Sequence, residues 1–139
     1  MSQYSMKTYD HALLLKAAGL VAVTAAGSVI LDLGDGFMAG DLVIDVTALE
    51  VAGGDEIYTI RLEGSNVAAM TSGSVVLAGT ELGNATAPAD ADTGLGRHIV
   101  PFTNELNGVL YRYVRIHTTV AGVIATGINF TAFLAKSAA

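Results

Sequence analysis

The chain has 139 residues and a mass of 14.2 kDa, enough for one domain and short for two. Seven basic against thirteen acidic side chains leave a net charge of −6, which disfavours a phosphate backbone as partner, and the absence of cysteine removes disulfides, thiolate metal sites and cysteine nucleophiles together. Apolar residues make up 52% and charged ones only 14%, against roughly 25% charged in an average soluble domain, so part of the exterior is expected to be covered by another surface.

Residues 1–19 differ from the rest and are assigned to an N-terminal arm, with 20–139 forming a β-sandwich domain. Ser2 to Tyr9 is polar and aromatic, and Asp10 to Ala18 then has the marks of a short helical turn, with Asp10 at the N-cap and Gly19 at the stop. An extended arm is the other reading. Leu13, Leu14 and Leu15 are consecutive, which suits neither an amphipathic helix nor a half-buried strand, so this segment calls for burial against a partner or the body. Lys16 ahead of the apolar Ala17–Ala26 has the order of a secretion signal, but Asp10 lies before it. Two apolar charge-free stretches, Ala17–Leu31 and Thr118–Ala135, hold 15 and 18 residues. A spanning helix needs about 20 apolar residues, and the second stretch contains four threonines, two glycines and an asparagine, so no membrane partner is expected.

From Gly19 onward short apolar segments are broken by glycine, asparagine and aspartate, the pattern of an all-β chain. Eight strands are predicted: Leu20–Ala25, Ser28–Leu33, Leu42–Val51, Ile57–Glu63, Val75–Ala78, His98–Phe102, Val109–Thr119 and Gly127–Ala135. Turn chemistry separates them at Gly34-Asp35-Gly36, Gly53-Gly54, Gly64-Ser65-Asn66, Gly83-Asn84 and Asn107-Gly108. Alternation gives an inward set of Leu42, Ile44, Val46 and Ala48, a second of Tyr58, Ile60 and Leu62, and a third of Ile128, Phe130, Ala132 and Leu134. Such one-faced strands are what two packed sheets require. In Leu110–Thr118 the residues Leu110, Arg112, Val114 and Ile116 take one face, and Tyr111, Tyr113, Arg115 and His117 the other. That second face reads as a contact surface, since Tyr and Arg are enriched among interface anchors, or as cross-strand pairing inside the sheet, with Arg on a carboxylate. Asn84–Gly96, built from Ala, Asp, Thr, Gly and Pro88 with little else, is a long surface loop.

No catalytic constellation emerges. His11, His98 and His117 stand in unrelated contexts with no Gly-x-Ser-x-Gly elbow. Asp32, Asp35, Asp41, Asp90 and Asp92 lack the spacing of a calcium loop and read as turn formers. Gly34-Asp35-Gly36 lacks the lysine and following helix of a phosphate loop. The chain is therefore expected to be a non-enzymatic binding or structural module of jelly-roll type, without metal or cofactor.

Several segments carry a family resemblance: Tyr9-Asp10 through Leu15, Asp32-Leu33-Gly34-Asp35-Gly36, Ile57-Tyr58-Thr59-Ile60 with Glu63-Gly64-Ser65, and a block from Tyr111-Arg112-Tyr113-Val114-Arg115 through Gly122 and Thr126-Gly127 to Ala132. In these the chain resembles the jelly-roll cement, or decoration, proteins of tailed bacteriophages, of the Bordetella-phage type. The resemblance implies an all-β sandwich of about eight antiparallel strands with a short N-terminal arm or helical turn. It also implies a protein without catalytic residues, made in the host cytoplasm, that binds the capsid exterior and bridges major capsid subunits as a homodimer or homotrimer. Direct contact with nucleic acid is not expected. Interface residues are assigned from this sequence alone: Tyr4, Tyr9, Leu13 and Leu14 on the arm and Tyr111, Tyr113 and Arg115 on the body, with Ala87–Gly96 as a flexible grip. The competing class is a carbohydrate-binding or host-adhesion sandwich of head-fibre type, which the nine aromatics and absent tryptophan disfavour.

Overall fold

The computed structural model describes residues 13–51, 53–83 and 94–136. Within them lie twelve strands: β1 (Leu14–Lys16), β2 (Leu20–Val21), β3 (Ala25–Ala26), β4 (Leu31–Asp32), β5 (Ala39–Leu49), β6 (Ile57–Ser65), β7 (Val75–Leu82), β8 (Gly96–Thr103), β9 (Glu105–Leu106), β10 (Val109–Leu110), β11 (Tyr113–Ala121) and β12 (Ile128–Lys136). One sheet runs β1-β12-β5-β8, with β2 also beside β12; the other runs β3-β11-β6-β7, with β4 also beside β11. All pairings are antiparallel, and the two sheets pack as a sandwich.

Taken as one interrupted strand each, β1 with β2 and β3 with β4 bring the sandwich to eight strands, with the β9–β10 hairpin outside the count. The first sheet then has the order first, eighth, third, sixth, and the second the order second, seventh, fourth, fifth. That wiring is the jelly roll, two Greek keys folded over one core.

The alternating sets meet between the sheets. Leu42, Ile44, Val46, Phe130, Ala132 and Leu134 come from one layer and Tyr58, Ile60, Leu62, Val114 and Ile116 from the other, all buried in a single cluster. The Tyr58 hydroxyl escapes burial without a partner by donating to the Glu50 carbonyl at 2.9 Å, and burial pushes its pKa up to about 12.

Several strand assignments differ from the expectation: Ser28–Leu33 is a strand only at Leu31–Asp32, β7 runs past Ala78 to Leu82, and Ala48, expected inward, is exposed beside the bulge at Asn129–Phe130. Leu14–Lys16 is neither an arm nor a helical turn: it pairs with β12, Leu14 opposite Phe133 and Lys16 opposite Ala132 across a bulge. Both of its faces are apolar, which is why the consecutive Leu14 and Leu15 fit a strand. Leu15 is fully buried in the core, and Leu14 packs on the opposite side against Val43, Phe133 and Ala135. The arm boundary expected at residue 19 thus falls within the sandwich, and residues 1–12 lie outside the described part. Leu20–Ala25 is divided because the chain crosses between sheets at residues 22–24. Val109–Thr119 is divided at Tyr111–Arg112, where β10 turns back on β9 through Asn107 and Gly108 at φ 53° and 82°, the backbone of a type I′ hairpin turn.

Candidate functional site

Among the described residues no cleft gathers the chemistry, so the candidate site is the exterior, of which three regions stand out. The first is the end where β5 passes into β6 and β11 into β12. Glu50 follows β5, and its carboxylate accepts the backbone N–H groups of Ala125, Thr126 and Gly127 at 2.6–3.1 Å and the Thr126 hydroxyl at 3.2 Å. Those N–H bonds, the one from Gly127 foremost, hold the Glu50 pKa down at about 2. Glu56 does similar work within its own loop, accepting from Gly53 and Asp55 at 2.8 and 3.1 Å, and the Gly53 bond is the main reason its pKa lies below the ordinary value. The Thr24 hydroxyl accepts from Val120 N–H at 2.9 Å. Gly122 and Gly127 have positive φ, and a Cβ on either would strike the backbone of Asp55 or Val21 at 2.3 and 2.1 Å. Three loops are thereby fixed together, and from them project Val123, Val23 and Leu20 with exposures of 79%, 70% and 60%.

The opposite end is held by amides. Asn104 is fully buried; its Oδ1 accepts Met38 N–H at 2.8 Å, and its Nδ2 donates to Gly36 and Tyr111 carbonyls at 2.9 and 3.1 Å. Asn66 donates to the Leu110 carbonyl and accepts Arg112 N–H. Arg112 reaches Asp32 with two bonds of 2.7 and 2.9 Å and Asp35 with one of 3.0 Å, over the ring of Tyr113. The Arg112 hydrogen bond holds the Asp32 carboxyl below its usual value, and the same bond raises the guanidinium. Phe37 projects here at 62% exposure, with Val109 and Leu110 exposed nearby on the hairpin.

The third region is the outer face of the β3-β11-β6-β7 sheet. Tyr113, Arg115 and His117 share that face, opposite Ser65, Glu63 and Arg61 in register. Arg115 binds Glu63 at 3.1 Å, which favours the internal-pairing reading for this residue. Arg61 makes no ion pair or guanidinium hydrogen bond among the described residues, and the buried Nδ1 of neighbouring His117 has no hydrogen-bond partner.

The interface residues expected from sequence that lie in the described part are not gathered on one surface. Tyr4 and Tyr9 lie outside the described residues, as does the loop from residue 87 to 93. Leu13 packs on the core at the Phe37 end, and Leu14 on the outer side of the other sheet. Tyr111 parts from Tyr113 because the strand is interrupted between them; its backbone is bound to Asn104 instead. Arg112, expected on the apolar side, turns outward at the same interruption. The clamps of Glu50 and Asn104 were missed: an acid just past a strand and an asparagine before a hairpin give no periodic signal, and only the tertiary fold brings their partners near.

Among the described residues, no three His, Asp or Glu side chains are grouped to hold a metal ion, and no helix is long and apolar enough to cross a membrane. No family model and no curated protein sequence matches the chain.

Proposed function

We propose that the protein is a non-enzymatic cement protein of a tailed-phage capsid, attached to the outside of the shell and bridging its major subunits as a homo-oligomer. The observation that carries this reading is the pair of sandwich ends, each a rigid hydrogen-bonded loop cluster tipped with exposed apolar side chains: Leu20, Val23 and Val123 at one end and Phe37 at the other. Exposed apolar groups of this size on fixed supports mark surfaces that are covered in use. Bound at two places, a stiff body transmits load between subunits, because separating one subunit then requires breaking contacts on both. Many weak attachments over a lattice act as a strong one through effective concentration, and an oligomer of closed symmetry meets several equivalent subunits alike. The jelly-roll body and the charge-poor composition agree with this role.

Occupancy on purified shells lacking the protein tests it. The wild-type chain is expected to sediment with the shells, and Val23→Asp with Val123→Asp to reduce bound protein at least tenfold, as two desolvated charges at a contact would. Unchanged occupancy of that double variant would remove this end as the contact; a wild-type chain left entirely in the supernatant would reject the cement role.

A further inference from the structure

We infer that Asn107 is a self-modification site, whose carboxamide is converted into aspartate and isoaspartate through a cyclic imide formed with the Gly108 nitrogen, at a rate that Glu105 holds down. Of the five asparagines, Asn107 alone precedes a glycine, so no side chain shields the nitrogen that must attack. Both residues are exposed at the tip of the β9–β10 hairpin. A Cβ placed on Gly108 would meet nothing within 4 Å, so no neighbour blocks the movement that the reaction needs. In the first step the Gly108 nitrogen forms a bond to Asn107 Cγ and gives up its proton; the bond from Cγ to the side-chain nitrogen breaks, and that nitrogen leaves with the proton as ammonia. Water then adds to one of the two imide carbonyls. Cleavage at Cγ gives aspartate, and cleavage at the backbone carbonyl gives isoaspartate, with the chain continuing through the side chain. Water is the only co-reactant, and nothing is oxidised or reduced.

Turn geometry decides how fast the ring can close. Closure needs the Gly108 nitrogen on the same side of the Cα–C bond as Asn107 Cβ, a ψ of about −120°, which is the value at the first central residue of a type II′ turn. The type I′ turn found here has a ψ of about +30° at that residue and carries the nitrogen to the far side. Both turns share a positive φ at the first central residue, and Asn107 already has it at 53°. Rotating the one peptide plane between Asn107 and Gly108 therefore gives the reactive geometry and leaves the hairpin closed. Gly108 must pass from φ 82° to a negative value, which glycine adopts as readily. One side-chain bond opposes the rotation. Gly108 N–H donates to Glu105 Oε2 at 2.9 Å, a bond strengthened by the acceptor's charge, and turning the plane takes that N–H away from it. Glu105 is thus a positioning residue that keeps the nitrogen turned from Cγ. The hairpin's base stays fixed meanwhile, because Asn104 binds Met38, Gly36 and Tyr111 beneath it.

Ageing the full-length chain in warm neutral buffer tests this, with peptide mass spectrometry following the loss of the Asn107 amide and an isoaspartate-specific methyltransferase marking the second product. The wild type is expected to convert slowly at Asn107, and Glu105→Ala about threefold faster or more, as loss of one hydrogen bond to a charged acceptor would allow. Glu105→Gln keeps an oxygen for the Gly108 N–H and is expected between the two. Exchange of the Tyr111 N–H, which is bound to the Asn104 carbonyl at 2.7 Å, should be the same in all three and so separate a turned tip from an opened hairpin. Conversion of Glu105→Ala at or below the wild-type rate, or a faster rate accompanied by lost protection at Tyr111, would overturn the role of Glu105. An Asn107 amide still intact in both chains at the end of the series would overturn the site itself.

Discussion

The two ends of the sandwich solve one structural problem with different chemistry. Each must hold several loops together against the close of a β-sheet, where backbone N–H and carbonyl groups have lost their ladder partners. The Glu50 end does it with ionised carboxylates that accept bundles of N–H groups, while the Asn104 end uses neutral amides that both donate and accept. Charge-assisted bonds are individually stronger but exist only while the carboxylate is ionised. A primary amide does not titrate. The difference teaches that the ends, alike in apolar tips and rigidity, are unequal in their response to acid.

The largest effect is expected from breaking the neutral end. Asn104→Ala removes the partner of the buried Met38 N–H and of the part-buried Gly36 and Tyr111 carbonyls. A buried group left unpaired costs about 1–3 kcal/mol, and the two part-buried carbonyls add less, so denaturant unfolding should report a loss of about 2 kcal/mol or more, little changed between pH 7 and pH 4. A loss under about 1 kcal/mol would mean that water replaces the side chain and that Asn104 is no clamp.

Acid sharpens the comparison at the other end. Glu50 has a folded pKa near 2 against an ordinary 4.5, so its contribution is fully present above pH 4.5 and is lost as pH falls toward 2. Glu56, in the same group of loops, is lowered in the same direction; at the amide end Asp32 is lowered as well, by its exposed pair with Arg112 and not through the Asn104 clamp. Hydrogen exchange is expected to show amides 125–127 opening on acidification before those at Met38 and Tyr111. Thermal melts of Glu50→Gln should be lower than wild type at pH 7 and converge with it near pH 2. Parallel curves at all pH values would show that the carboxylate's charge plays no part.

Smaller effects follow at the exposed tips and ion pairs. Val123→Asp alters a side chain that is 79% exposed and should change stability by no more than about 0.5 kcal/mol, while still impairing attachment to shells. Arg112→Met removes an exposed pair to Asp32 and Asp35. Its melting shift should be the least of the series and should vanish in high salt, which screens the pair it removes.

Much of the body was legible in the sequence because alternation survives wherever a strand has one wet face: Tyr58, Ile60 and Leu62 alternate with Thr59, Arg61 and Glu63 and occupy the positions expected. The signal failed where both faces are apolar, as at Leu14 and Leu15. It failed again where a strand stops without a glycine or proline, as at Tyr111–Arg112, because the stop is imposed by Asn104 and Asp32 from distant parts of the chain. Of the candidate surface, the apolar tips were present in the composition but had no address. Their grouping depends on which loops share an end of the jelly roll, and that follows from topology rather than from local pattern.

The central claim is attachment to the outer surface of a capsid, and it is tested most directly by a difference map from electron cryomicroscopy of phage particles with and without this chain. The account predicts extra density of two-layered β bodies on the outside of the shell, each touching more than one capsid subunit, and absent from particles lacking the gene. Maps identical over the shell, or density confined to the tail or to isolated fibres, would contradict it.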